Sequence, residues 1–427
     1  MRITGRTLQL AAFPLALLAF VGIGTPYLEV IFTPTTRWFY LPILGLMFVK
    51  SRQAWGVLGR TSGLAVLAYM AWCLLTTAWS IVPSLSLLKS AAQVPAVLIF
   101  LMGGYLWSTR TKRVPTLFYL APVAAISLAS VVTGRGADTD NIELYYGLTG
   151  NPNFLGIITA SSAPLILFLL HRSFYKSSSL AWRGLTLGAT VLIGVLLWWA
   201  GSRGGVLCAV VVVVLGLMGL QASKLVTLAV LAIGVAASVG AAAPEVQGMV
   251  YERLILKYSP DGDVFYTRRD AWQDSEEGAR QGGVIGLGYG ASYGDTTFDA
   301  DFSSVGYGRE KGNSQLAIVE ETGLVGLALY SVVLFAMFGE LFSCLWRLPP
   351  GETKLELALT TGLLAGLLAQ SCFEAWWTSP GSAGSAIFWT TAGVGLGLVR
   401  QAELARRPAR SRYFARNALR SSVRYES

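Results

Sequence analysis

A single arginine, Arg203, stands between two strongly apolar runs in the stretch LLWWAGSRGGVLCAVVVVVLG, residues 196–216. A charged side chain near hydrocarbon costs about 3 kcal/mol or more, so such a residue usually faces a cavity or a polar partner. The alternative is a short hairpin whose arginine only reaches out to the lipid headgroups. Arg203 is therefore a candidate for binding an anion at a membrane boundary.

Further arginines, carboxylates, amides and aromatic residues collect in the polar stretches 133–156 and 244–313 and at the start of the apolar run that follows. Arginine binds diphosphate with paired hydrogen bonds, aromatic faces stack on sugar rings, and a carboxylate can act as a general base. For each residue taken singly, an ordinary ion pair on a solvated loop is the alternative. The predicted binding residues are Arg203, Arg268, Arg269, Asn153, Lys311, Asn313, Tyr146 and Trp272, and the candidate bases are Glu143, Glu310, Glu320 and Glu321.

Two segments of the second polar stretch have recognisable local patterns. The residues YTRRDAWQDSEEGARQ (266–281) predict a helix in which Arg268 and Trp272 share a face at i,i+4 spacing. The residues GGVIGLGYGASYG (282–294) contain a G-x-G-x-x-[GA] pattern, but a dinucleotide site requires a strand–turn–helix setting that this sequence does not have. We interpret them as a turn that brings the backbone close to a ligand.

The elements that position these residues are membrane helices. Apolar residues make up 53% of the 427 residues, charged residues only 13%, and the mean hydropathy is +0.54, whereas soluble domains carry about 25% charged residues. Apolar runs of about 17 to 25 residues are long enough to span a bilayer. They predict twelve transmembrane helices, near 8–24, 36–50, 63–81, 88–107, 115–133, 154–170, 184–201, 204–221, 224–243, 320–346, 355–374 and 384–400.

The distribution of basic residues predicts the orientation. With a cytoplasmic N-terminus, 22 of the 33 Lys and Arg residues fall on the inner side, as the positive-inside rule requires. Both termini are then cytoplasmic and both polar stretches lie on the outer side of the membrane. We predict an all-α integral membrane protein with transmembrane helices 1–9 in residues 1–243, a long outer loop with short helices in 244–313, transmembrane helices 10–12 in 314–400, and a basic cytoplasmic tail in 401–427.

Composition also bears on partners and cofactors. The arginine-rich tail contributes to the net charge of +9 and suits anionic membrane lipid, so we expect no nucleic-acid partner. The four cysteines lie in or at the ends of apolar runs, the single histidine, His171, falls on the cytoplasmic side, and the outer carboxylates are scattered among arginines. This pattern predicts neither a metal site nor another cofactor.

Five motifs in a fixed order carry a resemblance to a known family. They are GNPNFLG (150–156), SRGG (202–205), RRDAW (268–272), GVIGLGYG (283–290) and GNSQLAIVEETGLVG (312–326). Over about residues 145–345 the chain resembles the O-antigen ligase and polymerase family of bacterial membrane glycosyltransferases. The resemblance implies a C-type glycosyltransferase fold in the bacterial inner membrane, with the 244–313 loop in the periplasm. It also implies an undecaprenyl-diphosphate-linked glycan as donor and metal-independent transfer on the periplasmic side, for which we expect an inverting displacement. By matching position, it implies that Arg203 and Arg268 or Arg269 hold the diphosphate.

One departure from the family pattern bears on the acceptor. Ligases of this family typically read His-Asn-x-x-Leu where this chain reads Gly312-Asn313-Ser314-Gln315-Leu316. The departure favours a polymerase that joins lipid-linked repeat units of O-antigen or another surface polysaccharide. A chain-length regulator is a candidate protein partner of such a polymerase. The alternatives are a ligase acting on lipid A-core and, third, a protein O-oligosaccharyltransferase. A transporter is the rival class, but the sequence has no similarity between its two halves of the kind that repeat-built carriers can show.

Overall fold

The structure, a computed structural model, describes residues 5–22, 24–26, 28, 31–33, 37–49, 51–110, 114–133, 136–137, 144–176, 179–220, 266–293 and 311–406. Its α-helices in chain order are α1 Gly5–Gly22, α2 Arg37–Val49, α3 Thr61–Leu75, α4 Pro83–Arg110, α5 Ala121–Ala129, α6 Pro152–Tyr175, α7 Leu180–Ala200, α8 Arg203–Leu220, α9 Tyr266–Gly282, α10 Ser314–Arg347, α11 Glu352–Gln370 and α12 Ala383–Arg406. Short 3-10 helices occupy Ala54–Val57, Thr76–Trp79, Thr116–Leu120 and Ser130–Thr133. An antiparallel pair joins β1 (Gly136–Ala137) to β2 (Leu144–Tyr145).

The chain is an all-α integral membrane protein. Seven helical segments of the described residues are long and apolar enough to cross a membrane: Thr61–Trp79, Pro83–Arg110, Thr116–Thr133, Pro152–Tyr175, Leu180–Ala200, Arg203–Leu220 and Ser314–Arg347. Eleven of the twelve predicted spans coincide with helices of this part of the chain, and the predicted span 224–243 lies outside it. The helix predicted at 266–281 is confirmed as α9.

Small residues let the helices of the bundle pack closely. Helices α4 and α12 run parallel to each other, and a Cβ placed on Gly104 would lie only 2.2 Å from the carbonyl oxygen of Thr390. Helices α8 and α11 run antiparallel, with the backbone at Val212 beside Gly362. Such contacts are typical of membrane bundles, in which close backbone approach replaces the hydrophobic effect between helices.

The bundle has two ends with different polar groups. We call the end at which α6, α8 and α10 begin and α11 ends the Arg203 end. At the opposite end, Arg60 precedes α3 and forms ion pairs with Glu340 of α10 and Glu403 of α12. Arg60 therefore ties three helices together at that end.

Candidate functional site

Arg203 is the first residue of α8, and the turn before it fixes where that helix begins. Gly201 ends α7 with a left-handed φ of 55°. The hydroxyl of Ser202 then accepts a hydrogen bond from the backbone N–H of Gly205 at 3.2 Å, which is a helix N-cap. Arg203 is half-buried, and its Nε atom is buried. The arginine thus projects from a capped helix start and not from a loose hairpin.

The start of α6 lies against the start of α8. Asn151 caps α6 by accepting hydrogen bonds through its side-chain oxygen from the backbone N–H groups of Asn153, at 2.8 Å, and Phe154, at 3.2 Å. A Cβ on Gly205 would lie 2.8 Å from the carbonyl of Gly156, so only glycine allows the two backbones to approach this closely. The motif GNPNFLG therefore packs directly on the motif SRGG.

The start of α10 is capped in the same way by Asn313. Its side-chain oxygen accepts hydrogen bonds from the N–H groups of Gln315, at 2.8 Å, and Leu316, at 3.0 Å. Its amide nitrogen donates to the carbonyl oxygen of Cys372 at 3.0 Å. Asn313, a predicted substrate contact, thus has both ends of its amide engaged in holding the protein together.

The segment 371–382, which connects α11 to α12, links these helix starts; we call it the 371–382 turn. The N–H of Ser314 donates to the carbonyl of Ser371 at 2.9 Å, and the Ser314 hydroxyl donates to the carbonyl of Glu374 at 2.8 Å. On the other side, a Cβ on Gly204 would lie 2.8 Å from the side chain of Gln370, the last residue of α11. The end of α11 and this turn therefore bring the starts of α8 and α10 close together.

The N-termini of α6, α8 and α10 consequently share the Arg203 end of the bundle with the side chain of Arg203. The N-terminus of a helix carries a partial positive charge and favours anions nearby. Arginine adds a full charge in a fork geometry that matches phosphate oxygens. Together they make this end suited to an anionic group such as a phosphate.

Helix α9 lies over the start of α10 and carries the other predicted arginines. The indole Nε1 of Trp272 donates to the carbonyl of Gly312 at 3.0 Å, and the hydroxyl of Ser275 donates to the carbonyl of Lys311 at 3.2 Å. Arg269 is exposed on this helix. Arg268 belongs to the same helix, but its side chain lies outside the described residues. A chain of contacts thus leads from the RRDAW motif through the start of α10, the 371–382 turn and Gln370 to Gly204, the residue after Arg203.

A buried charge cluster lies beneath α9. The Lys311 ammonium is 2.6 Å from a carboxylate oxygen of Glu321 and 3.3 Å from one of Glu320. Glu320 also accepts a hydrogen bond from the N–H of Tyr293 at 2.8 Å, and Glu321 accepts one from the N–H of Gly290 at 2.7 Å. The side chains of Glu320 and Glu321 are 0% and 3% exposed. The cost of placing two carboxylates at the hydrocarbon edge is thus offset by pairing within the protein.

The backbone N–H groups that bind these carboxylates belong to the segment 282–293, which we call the glycine loop. Lys89 of α4 donates to the carbonyl of Gly290 at 2.9 Å, and Lys311 donates to the next carbonyl, that of Ala291, at 3.2 Å. The N–H of Tyr289 donates to the hydroxyl of Thr76 at 2.9 Å. The loop predicted to approach a ligand therefore makes its close contacts with this chain's own lysines and carboxylates.

Helix α10 breaks where the glycine loop meets it. Gly323 has φ 70° and ψ −173°, values outside the helical region. The N–H groups of Leu324 and Val325 donate to the carbonyls of Gly283 and Val284, at 3.2 and 3.1 Å. The indole of Trp72 donates to the carbonyl of Thr322 at 2.9 Å. The backbone groups freed by the break are satisfied by the loop and by this tryptophan.

The predicted residues fall into four groups. Arg203, Asn153, Asn313 and Trp272 belong to or directly contact the joined helix starts, and Tyr146 lies in the loop just before α6. Arg268 and Arg269 belong to α9. Lys311, Glu320 and Glu321 form the buried charge cluster. The candidate bases Glu143 and Glu310 lie outside the described residues.

Sequence reasoning did not single out the 371–382 turn or Lys89. Trp376 donates to the side-chain oxygen of Gln370 at 2.6 Å, and Gln93 of α4 donates to the carbonyl of Trp377 at 3.2 Å. The only local signal was the paired tryptophans followed by Ser379-Pro380-Gly381, a turn pattern with aromatic anchors.

The fold and the site define a polytopic α-helical membrane protein with a cluster of polar and charged residues of both signs at one end of its bundle. No family model matches the chain. It is 27% identical over 363 residues to the exopolysaccharide production protein ExoQ of Rhizobium meliloti (strain 1021), and the alignment covers 82% of this chain and 80% of ExoQ. This similarity to a polysaccharide-related protein agrees with the resemblance carried by the motifs.

Proposed function

We propose that this protein is a polymerase of a bacterial exopolysaccharide or O-antigen. It transfers a glycan chain from an undecaprenyl-diphosphate donor to the next undecaprenyl-diphosphate-linked repeat unit on the periplasmic face of the inner membrane. Three features support the proposal: the order of the five motifs, the similarity to ExoQ over most of both chains, and the geometry around Arg203.

The observation that carries the proposal is that Arg203, at the start of α8, lies with the starts of α6 and α10 at one end of the bundle. The start of α6 packs directly on that of α8, and Gln370 with the 371–382 turn connects α8 to the start of α10. The diphosphate of a lipid-linked sugar carries its charge at the membrane boundary, where Arg203 stands between apolar runs. We propose that Arg203 contacts this diphosphate and that Arg268 or Arg269 of α9 contacts it from the water side. Asn153, Tyr146 and Trp272 remain proposed contacts for the sugar or the diphosphate.

The proposed reaction is a single inverting displacement. The acceptor hydroxyl oxygen attacks the anomeric carbon of the donor, and the bond between that carbon and the diphosphate oxygen breaks. The electron pair leaves with the diphosphate, whose growing negative charge is stabilised by the arginines. The hydroxyl proton passes to a base.

Glu320 and Glu321 suit a positioning role better than that of the base. Their oxygens are engaged by Lys311 and by backbone N–H groups of the glycine loop, and the two side chains are buried. Glu143 and Glu310 remain candidates for the base.

Gly312 stands where typical ligases of the family have histidine, and this departure is the feature that favours a polymerase over a ligase. Gly312 has a left-handed φ of 63°, and a Cβ at this position would lie 3.3 Å from the indole of Trp272. A histidine at this position, as typical ligases of the family have, would be strained and crowded. The conformation therefore supports a role for Gly312 in seating α9 on α10.

A reaction with purified protein in detergent tests the proposal and separates it from a transporter, because detergent leaves no compartments. The substrate is the lipid-linked repeat unit extracted from a host strain that lacks this protein. We expect a ladder of longer lipid-linked chains, with an equimolar release of undecaprenyl diphosphate, and we expect it to persist in EDTA. Transfer of glycan that occurs only after lipid A-core is added would indicate a ligase. The absence of any product with both acceptors would contradict the polymerase and the ligase alike.

A further inference from the structure

Val284 and Ile285 form an exposed apolar tip on the glycine loop. Their side chains are 60% and 45% exposed, although the segment belongs to a stretch that the sequence places outside the membrane. The loop is fastened to α10 on one side and to the segment after α3 on the other, so these side chains have fixed positions. A fixed, exposed pair of large apolar residues indicates an interaction surface.

The backbone carbonyl groups of the tip have hydrogen-bond partners within the protein, as an environment without water requires. The carbonyls of Gly283 and Val284 accept hydrogen bonds from the N–H groups of Leu324 and Val325. The carbonyl of Ile285 accepts from the indole of Trp79 at 3.3 Å. The carbonyl of Leu287 accepts from the N–H of Ile81 at 3.0 Å. Non-helical backbone is tolerated at membrane depth only when such groups are satisfied by protein.

The tip continues the lipid-facing surface of two candidate spans. Leu324 of α10, which bonds to the loop, is 54% exposed, and Leu75 at the end of α3 is 54% exposed. Ile81, which also bonds to the loop, is 47% exposed. Trp79 lies at the same level, and tryptophan is enriched at the boundary between hydrocarbon and headgroups.

The length of α10 indicates how deep in the bilayer this surface lies. Leu324 and Trp346 are both exposed and mark the two ends of the lipid-facing part of α10. At a rise of 1.5 Å per residue, roughly 33 Å of helix separates them. A bilayer's hydrocarbon core is about 30 Å thick. With Trp346 at the inner boundary, Leu324 and the loop tip reach the outer boundary of the hydrocarbon.

We propose that residues 283–287 form a membrane-embedded loop whose tip, Val284 and Ile285, contacts the acyl chains of the outer leaflet. The occupant of this surface is lipid, and the inference does not depend on the reaction proposed above. By anchoring the glycine loop in the bilayer, the tip would set the depth of Gly290 and Ala291, and with them the position of the buried charge cluster.

Electron paramagnetic resonance with a nitroxide label at single cysteines tests this proposal. The label is placed by Val284→Cys in a chain whose four native cysteines are replaced, reconstituted in vesicles of phosphatidylethanolamine and phosphatidylglycerol. Frequent collisions of the nitroxide with oxygen indicate that the label lies in lipid. Frequent collisions with a water-soluble nickel chelate indicate that it lies in water. Glu277→Cys on the exposed face of α9 is the aqueous control, and Val332→Cys, 52% exposed in the middle of α10, is the lipid control.

We expect the ratio of oxygen to nickel collisions at position 284 to be several-fold higher than at 277 and closer to that at 332. A ratio equal to that at 277 would overturn the proposal, because the tip would then lie in water. Low collision rates with both reagents would also overturn it, because another part of this chain or a partner protein would then cover the tip.

Discussion

The ammonium of Lys311 lies 2.6 Å from Glu321 and 3.3 Å from Glu320, and all three side chains are nearly inaccessible to solvent. Lys311 precedes the first turn of α10, whereas the two glutamates come just before the break in that helix. The same glutamates accept hydrogen bonds from the glycine loop. One buried ion cluster therefore fixes the start of α10, its break and the loop beside it.

The variant Lys311→Met is expected to destabilise the protein strongly. Removing one partner of a buried ion pair leaves an uncompensated charge and typically costs about 3 to 5 kcal/mol. The matched control is Arg280→Met, because Arg280 pairs with Glu276 at 2.7 Å while both side chains are largely exposed. Such a pair contributes below about 1 kcal/mol. Thermal unfolding in detergent measures both, and equal losses for the two variants would contradict the buried cluster.

Gly323→Ala is expected to destabilise the break in α10. Gly323 has a left-handed φ of 70°, and a Cβ there would lie 2.2 Å from the carbonyl oxygen of Val284. Gly339 belongs to the same helix with no atom within 4 Å of its Cβ position, so Gly339→Ala is the control. Alanine is favoured over glycine within a helix by about 0.5 to 1 kcal/mol. A lower midpoint of thermal unfolding for Gly323→Ala alone is expected, and an unchanged midpoint would show that the break does not require glycine.

The transmembrane helices were largely predictable because a bilayer requires long apolar runs. The residues at which the helices begin, end or break were not predictable. The sequence predicts a span at 320–346, whereas α10 begins at Ser314 because Asn313 caps it. The break at Gly323 falls near the start of the predicted span, directly after Glu320, Glu321 and Thr322, and a hydropathy average over the span does not locate it. The predicted span 355–374 extends past the end of α11 at Gln370 because Cys372 and Phe373 are apolar residues of the following turn.

The sequence predicts which residue types form the candidate site, but it does not predict which of those residues contact each other. The separation of Arg203 from the RRDAW motif in sequence gives no hint that the 371–382 turn links them. Asn313 was predicted as a substrate contact from its residue type, although an asparagine before an apolar run is also the mark of a helix cap. The pairing of Lys311 with Glu320 and Glu321 depends on how the glycine loop packs on α10, which has no local signal in the sequence.

The ion pair of Arg60 with Glu403 predicts a pH dependence at the opposite end of the bundle. The hydrogen bond from Arg60, 2.8 Å long, holds the pKa of the Glu403 carboxyl below its ordinary value of 4.5. A depressed pKa in the folded state stabilises the fold above the ordinary value, and this stabilisation is lost as the pH falls through the folded value. The effect is small, below about 1 kcal/mol, because Glu403 is partly exposed.

The comparison of wild type with Glu403→Gln measures this contribution. We expect the wild type to unfold at a higher temperature at neutral pH and the difference to close as the pH falls below 4.5. A difference that persists unchanged in acid would show that the carboxylate charge does not contribute.

Labelling of a native cysteine tests the proposed sidedness. Cys372 is exposed in the 371–382 turn, whereas the other three cysteines are buried. A membrane-impermeant maleimide is therefore expected to label the wild type from the periplasm and to leave Cys372→Ser unlabelled. Thr353, exposed near the start of α11 at the opposite end, provides the control as Thr353→Cys in the Cys372→Ser background. Labelling of position 353 and not of Cys372 from outside would reverse the topology.

The most direct test of the central claim is the rate of chain synthesis by Arg203→Ala. Loss of one hydrogen-bonded contact to the leaving diphosphate in a desolvated site costs about 2.7 to 4 kcal/mol of transition-state stabilisation. This cost corresponds to roughly a hundredfold to a thousandfold decrease in rate. Arg203→Lys is expected to restore little, because an ammonium lacks the planar fork of a guanidinium. Arg280→Ala, which removes an exposed arginine from α9, is the control and is expected to retain activity. With all variants at equal levels in the membrane, we predict that Arg203→Ala loses long-chain polysaccharide, and synthesis at the wild-type rate by Arg203→Ala would contradict the account.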